Sequence, residues 1–147
     1  MTAGWQAWFD GAAAPNPGSI GLGALLISPT GERSEVSRRP GCLGCNNEAE
    51  LLALGEVLDL AFQSGARHLT VRGDSDFAVQ HLLGRSQTAV PHLAALLEEL
   101  RASVARFEAV EFIWVPRHRN GEADRLSRLA LGLRTEPAGR PISKRRR

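Results

Sequence analysis

Hydrophobic and polar positions change period several times along the chain, and each change marks an element. Residues 4–10 alternate around Trp5, Ala7 and Phe9, the two-residue period of a strand with one buried face. The string Gly-Ala-Ala-Ala-Pro-Asn-Pro-Gly at 11–18 interrupts that period with proline and glycine and predicts a turn. Residues 20–28 predict a second strand, Pro29-Thr30-Gly31 a hairpin turn and 32–39 the returning strand, which makes an antiparallel meander. Asn46 or Asn47 predicts a helix cap. From Glu48 the positions Leu51, Leu54, Leu58, Ala61 and Phe62 recur at helical spacing, and Ser64-Gly65 ends them.

The second half continues in the same way. A short apolar run at 68–72 suits a buried strand. Residues 76–83 predict a short helix and 91–107 a longer one, with Leu93, Leu96, Leu97 and Leu100 on a common face. A strand at 110–115 and a helix at 120–133 complete the order β-β-β-α-β-α-α-β-α. This order predicts an α/β fold: a mixed five-stranded sheet, its first three strands antiparallel, flanked by helices.

Composition narrows the reading. With 147 residues, 43% of them hydrophobic, the chain has enough material for one domain with a core, assigned to 1–134. From 135 onward proline, glycine and arginine dominate, which predicts a disordered tail at 135–147. Net charge is +2, but Arg140, Lys144 and Arg145–Arg147 against Glu136 put the tail at +4 and leave 1–134 at −2. By charge alone the body is no nucleic-acid binder; the basic tail can be a nucleic-acid arm or a solvated end. No segment approaches a run of roughly 18 uncharged apolar residues, so no membrane span is expected. Strand-like sequence begins almost at the first residue, and a cytoplasmic protein without a signal peptide is expected. Cys42 and Cys45 form a lone C-x-x-C, half a zinc site with nothing clustered to complete it. Its place before a helix leaves a redox role open beside that of loop cysteines without chemistry.

Four acidic residues carry the candidate chemistry: Asp10 in WFDGAAAPNPG, Glu50 in NNEAELLAL, Asp74 in VRGDSDFAV and Asp124 in NGEADRLSRLA. Each stands where a strand is expected to end or a helix to begin, so the fold can gather them at one edge of a sheet. Carboxylates brought together repel one another and resist burial unless a cation neutralises them. Hard oxygen ligands suit Mg²⁺ or Mn²⁺, which points to divalent-metal phosphoryl-transfer chemistry. Taken singly, each carboxylate has a plainer reading as an Asx-turn or a helix-terminal charge.

With these carboxylates on this scaffold the chain resembles the type 1 ribonuclease H family over roughly residues 4–133. The signals are DG-x-x-x-x-NPG at 10–18, NN-x-x-EL at 46–51, DS at 74–75, and WV-x-x-H at 114–118 followed by the helix of Asp124. The resemblance implies a ribonuclease-H-like three-layer fold. It also implies a monomeric endoribonuclease that hydrolyses the RNA strand of RNA–DNA hybrids, leaving 5′-phosphate and 3′-hydroxyl ends. It makes Asp10, Glu50, Asp74 and Asp124 ligands of two Mg²⁺ ions, with Mn²⁺ as an alternative, and selects Glu50 over Glu48 by its distance from Asn47. Gly11, Asn16, Asn46, Asn47 and Ser75 become substrate contacts, and His118 a proton carrier.

The chain departs from the family pattern in three places. Asp76 follows the DS pair where many relatives carry glutamine, and is read as a helix cap. Residues 84–90 are short and hold only Arg85, so the basic handle that some relatives use to grip the DNA strand is missing. The loop after His118 is short, which sets its catalytic role against that of a solvated histidine between two arginines. The rival reading of the whole chain is a catalytically weak nucleic-acid-binding module on the same fold.

Overall fold

The strand β1 (Trp5–Ala14) lies at the middle of the sheet and organises everything around it. It pairs antiparallel with β2 (Gly18–Ile27), which pairs antiparallel with β3 (Arg33–Arg38). On its other side it runs parallel to β5 (His68–Gly73), which runs parallel to β6 (Ala109–Trp114). The order across the sheet is β3-β2-β1-β5-β6. Between the meander and the first helix, a two-residue β4 (Leu43–Gly44) pairs with the start of β2. It makes a sixth strand beyond the five expected, too short to leave any periodic signal. The computed structural model describes residues 4–133; the basic tail expected at 135–147 and the domain boundary at 134 lie outside the described residues.

Helices α1 (Asn46–Gln63), α2 (Asp76–Leu82) and α3 (Pro91–Val104) connect these strands, and α4 (Gly121–Ala130) follows β6. The two-residue period of the strands aims Ala7 and Phe9 of β1, Ile20, Leu22, Ala24 and Leu26 of β2, and Leu69 and Val71 of β5 into one core. Leu51, Leu54 and Leu58 of α1 and Leu93, Leu97 and Leu100 of α3 close it. Each fully buried side chain of this size contributes about 1.5–3 kcal/mol. The opposite face meets α4 in a different way. There β2 presents Gly21 and Gly23, and a Cβ on Gly23 would lie 2.3 Å from Ala123 O and 2.4 Å from Ser127 N. Only bare backbone lets α4 sit so close.

Several boundaries differ from the sequence expectation, each for a local reason. Residues 11–14 are strand, not turn, because the small alanines pair up to Ala14 opposite Ser19, and only Pro15–Pro17 turn the chain. Cys45, rather than Asn46 or Asn47, caps α1, its Sγ accepting from Glu48 N at 3.5 Å. Asn46 is instead the first helical residue and is used elsewhere: its N–H donates to Asn16 Oδ1 and its Oδ1 accepts from Ala13 N. The β1–β2 hairpin is thereby tied to the start of α1. Ser75, not Asp76, caps α2 by accepting from Ala78 N, and Asp76 accepts from Gln80 in the first turn. The third helix stops at Val104, and Phe107 leaves it to pack edge-to-face on Phe62 at 5.5 Å. Gly132, at φ +73°, ends α4 with Leu133 N donating back to Arg128 O.

Candidate active site

Strand register brings the first two carboxylates together. Parallel pairing sets Phe9 of β1 opposite Gly73 of β5, so the next residues, Asp10 and Asp74, stand side by side where β5 ends. Glu50 reaches them from the start of α1 because Gly11 has no side chain. A Cβ there would lie 2.1 Å from Ala49 O and 2.6 Å from Glu50 N. Asp124 arrives from the first turn of α4 on the other face. Carboxylate oxygens of Asp10, Glu50 and Asp74 lie within 4.8 Å of one another. Asp124 lines the same pocket, of about 340 Å³, and its charge acts on both Asp10 and Asp74.

Burial and mutual repulsion dominate the electrostatics. Asp10 is buried, and desolvation, reinforced by the charges of Asp74 and Asp124, raises its pKa to about 7. Desolvation, then the charges of Asp10 and Asp74, raises Glu50 to about 10. Asp74 is raised mainly by burial, against the lowering effects of its Asn120 hydrogen bond and the Arg117 charge. Without a cation, then, the group resists full ionisation. Oxygen-only donors in a tight, partly desolvated cluster match the preference of small hard divalent cations, and the cluster can hold one.

Each clustered carboxylate is also anchored by a donor from this chain. Gly11 N–H donates to Glu50 Oε1 at 3.1 Å, Ser127 Oγ–H to Asp10 Oδ2 at 3.0 Å, and Asn120 Nδ2–H to Asp74 Oδ2 at 3.3 Å. Asn120 is fully buried and also donates to Phe9 O at 2.9 Å, while its buried Oδ1 has no hydrogen-bond partner among the described residues. Trp114 Nε1–H donates to Asp74 O at 3.3 Å. One oxygen of each carboxylate is thus fixed.

Of the residues expected from the sequence, Asp10, Gly11, Asn46, Glu50, Asp74 and Asp124 share the pocket. Asn16 stands beside it, bonded to Asn46 N, and Asn47 is exposed on the first turn of α1. Ser75 is buried, with its hydroxyl engaged in the α2 cap. His118 is exposed on a single 3₁₀ turn, Arg117–Arg119, and its neighbour Arg117 faces the pocket in its place. Sequence reasoning missed Ser127 and Asn120 as parts of the site. Their spacing was the available signal: Asn120 precedes Asp124 by four residues and Ser127 follows it by three, one face of a helix.

Residues 8–130 match the protein family described as reverse transcriptase-like. The chain is 34% identical over 132 residues to a bifunctional protein of Mycobacterium tuberculosis, covering 88% of this chain and 36% of that protein. It is 34% identical over 128 residues to the ribonuclease HI of Halobacterium salinarum, covering 86% of this chain and 63% of that protein. The chain therefore spans about a third of the first relative's length and under two thirds of the second's. The crystal structure of RNase H1 from Halobacterium salinarum superimposes with a TM-score of 0.84 at 33% identity, covering 88% of this chain and 98% of that one. LC11-RNase H1, solved in complex with an RNA/DNA hybrid, superimposes with a TM-score of 0.80 at 26% identity, covering 87% and 96%. Fold, site and matches agree, and the chain belongs to the type 1 ribonuclease H family.

Proposed function

We propose that this protein is a monomeric, cytoplasmic, Mg²⁺-dependent endoribonuclease that hydrolyses the RNA strand of RNA–DNA hybrids. The observation that carries the reading is the anchored carboxylate cluster: three acidic groups within 4.8 Å, each held by a donor of this chain, in a pocket that opens beside Asn46 and Arg117. The hybrid in the LC11-RNase H1 complex supports the choice of substrate. No helix among the described residues is long and apolar enough to cross a membrane.

Asp10, Glu50, Asp74 and Asp124 would hold two Mg²⁺ ions, or Mn²⁺ in their place. When bound, such ions supply charge neutralisation at the scissile phosphate and activation of the attacking water. The rest falls to the protein. Asn16, Asn46 and Asn47, with the strand backbone at Gly11, take the minor groove, where amide groups can both donate to and accept from the ribose 2′-hydroxyl. That group is what distinguishes RNA from DNA. Arg117 meets phosphate from the pocket wall. Ser75 braces the loop that carries Asp74. His118, exposed beside Arg117, exchanges a proton with the departing 3′ oxygen. Water adds to phosphorus and the P–O3′ bond breaks, which leaves a 5′-phosphate and a 3′-hydroxyl.

An end-labelled RNA–DNA hybrid, incubated with protein in Mg²⁺ or in EDTA, tests this beside single-stranded RNA, double-stranded RNA and DNA. Metal-dependent cutting confined to the RNA strand of the hybrid is the expected result. Binding of the hybrid without any cutting would favour a catalytically inactive module on the same fold.

A further inference from the structure

Ser127 is fully buried on α4 and is one of the donors that anchor the carboxylate cluster. Its Oγ lies 3.0 Å from Asp10 Oδ2 and 3.0 Å from the Asp124 carbonyl oxygen. A hydroxyl has a single proton to give, so these two contacts compete. The bond to a charged carboxylate is the stronger of the two. The alternative is the ordinary back-bond that a helical serine makes to the preceding turn. Ser127 therefore stands between two of the four carboxylate residues, touching the side chain of one and the backbone of the other.

Its seat depends on the strand beneath it. Asp10 pairs in register with Gly23 of β2, and Gly23 is where a Cβ would strike Ser127 N at 2.4 Å. Gly21, two residues earlier on the same face, would strike Ser127 O at 2.5 Å. The paired glycines bring this turn of α4 down to the level of Asp10. At that depth one of the shortest polar side chains reaches the carboxylate. The geometry therefore joins three features that are far apart in sequence: small residues in β2, a serine one turn beyond Asp124, and Asp10 in β1.

We infer that Ser127 is a positioning residue for the cation site, fixing the Asp10 carboxylate by its Oδ2 within the cluster it forms with Glu50 and Asp74. This rests on the assignment of the carboxylates as cation ligands. Loss of such an outer hydrogen bond commonly weakens metal affinity by roughly 10- to 100-fold. Because a backbone carbonyl stands ready to take the hydroxyl proton, the Ser127–Asp10 bond sits at the lower end, and about tenfold is expected.

The test is Mn²⁺ binding, measured by calorimetry and by electron paramagnetic resonance without nucleic acid, on the wild type, Ser127→Ala, Ser127→Cys and Asp10→Asn. Thermal melts of the metal-free proteins check the fold. The inference expects Ser127→Ala to stay folded and its Mn²⁺ dissociation constant to rise about tenfold. Ser127→Cys, which keeps a side chain there but donates poorly, should shift in the same direction. In the assay with hybrid, the Mg²⁺ concentration for half-maximal rate should rise while KM for hybrid at saturating Mg²⁺ holds. If wild type binds Mn²⁺, Asp10→Asn does not, and both Ser127 variants bind like wild type, the positioning role is overturned and the cation site stands. If wild type binds no Mn²⁺, both fall.

Discussion

On the face of the sheet that meets α1, Phe9, Leu22, Leu26 and Val71 project into a closed apolar layer; on the face that meets α4, the same sheet presents Asp10, Gly21 and Gly23. The first face gains stability from side chains that exclude water. The second brings backbones together and uses the depth so gained to hold a carboxylate against a serine. Burying acidic groups that repel one another is unfavourable, and the apolar face offsets it. The contrast teaches that alternation along one strand can assign stability and chemistry to adjacent residues. Phe9 is core, and Asp10 is site.

The largest expected break in this contrast is Asp10→Asn. Removing one carboxylate charge from the cluster should lower the cleavage rate by at least about 10³-fold, or roughly 4 kcal/mol of barrier. Hybrid binding in a gel-shift assay should survive, because the phosphate and minor-groove contacts proposed above lie on other residues. Near-normal cleavage by this variant would remove Asp10 from the chemistry.

Leu54→Ala and Gly23→Ala then probe the two faces separately. Leu54 is fully buried against the sheet, and its truncation should cost about 2–5 kcal/mol of stability in urea unfolding. The folded fraction should keep its rate per molecule. Gly23→Ala adds a methyl 2.3 Å from an α4 backbone oxygen, so the helix must move. Overpacking of this kind costs about 1–3 kcal/mol, less than the leucine truncation, but here the displaced helix carries Asp124 and Ser127. Its activity should fall further than its stability. Equal stability and activity losses in both variants would show that the two faces are not divided as described.

Legibility in the sequence followed the same division. The four carboxylates were legible because each sits in a local string tied to an element boundary, and the core was legible through Leu51, Leu54 and Leu58 on one helical face. The α4 contacts were not. A serine inside a helix has no signature of its own, and Ser127 becomes part of the site only when a particular turn of α4 lands on Gly23. Asn120 stands at the cap position of α4, yet its amide serves Phe9 and Asp74 rather than its own helix. Cys45 was passed over as a cap because sulfur is a poor acceptor, and the asparagines beside it are better ones. Arg117 and His118 are adjacent in a loop, and only the turn of the 3₁₀ segment decides which of them faces the pocket.

That pair gives a smaller test on the α4 side. Arg117→Ala should raise KM for hybrid and flatten the salt dependence of binding by about one phosphate contact. His118→Ala should lower kcat by less than the roughly hundredfold loss of a well-seated acid–base group, because its exposed imidazole competes with water for the same proton. A loss of about hundredfold or more in kcat for His118→Ala would mean that the 3₁₀ turn rearranges around substrate.

The smallest effect is the most specific to one face. Asp10 has a pKa of about 7 in the folded, metal-free protein against 3.8 as an ordinary carboxyl, and Glu50 is raised further. Between those two values for Asp10 the folded state binds more protons than the unfolded chain, so this contribution to stability falls as pH rises. It is fully present below pH of about 4 and is lost as pH passes through about 7. Thermal melts in EDTA from pH 5 to 8 (about the window of the Asp10 shift) should therefore slope downward, and Asp10→Asn should flatten the slope. Leu54→Ala should lower every point without changing the slope, since the apolar face holds no proton to lose. Protons and cation compete for the same oxygens, so the stabilisation given by a fixed concentration of Mg²⁺ should grow over the same range. If wild type and Asp10→Asn give parallel curves, Asp10 is no longer a buried, repelled carboxylate in solution, and the distinction between the two faces loses its electrostatic half.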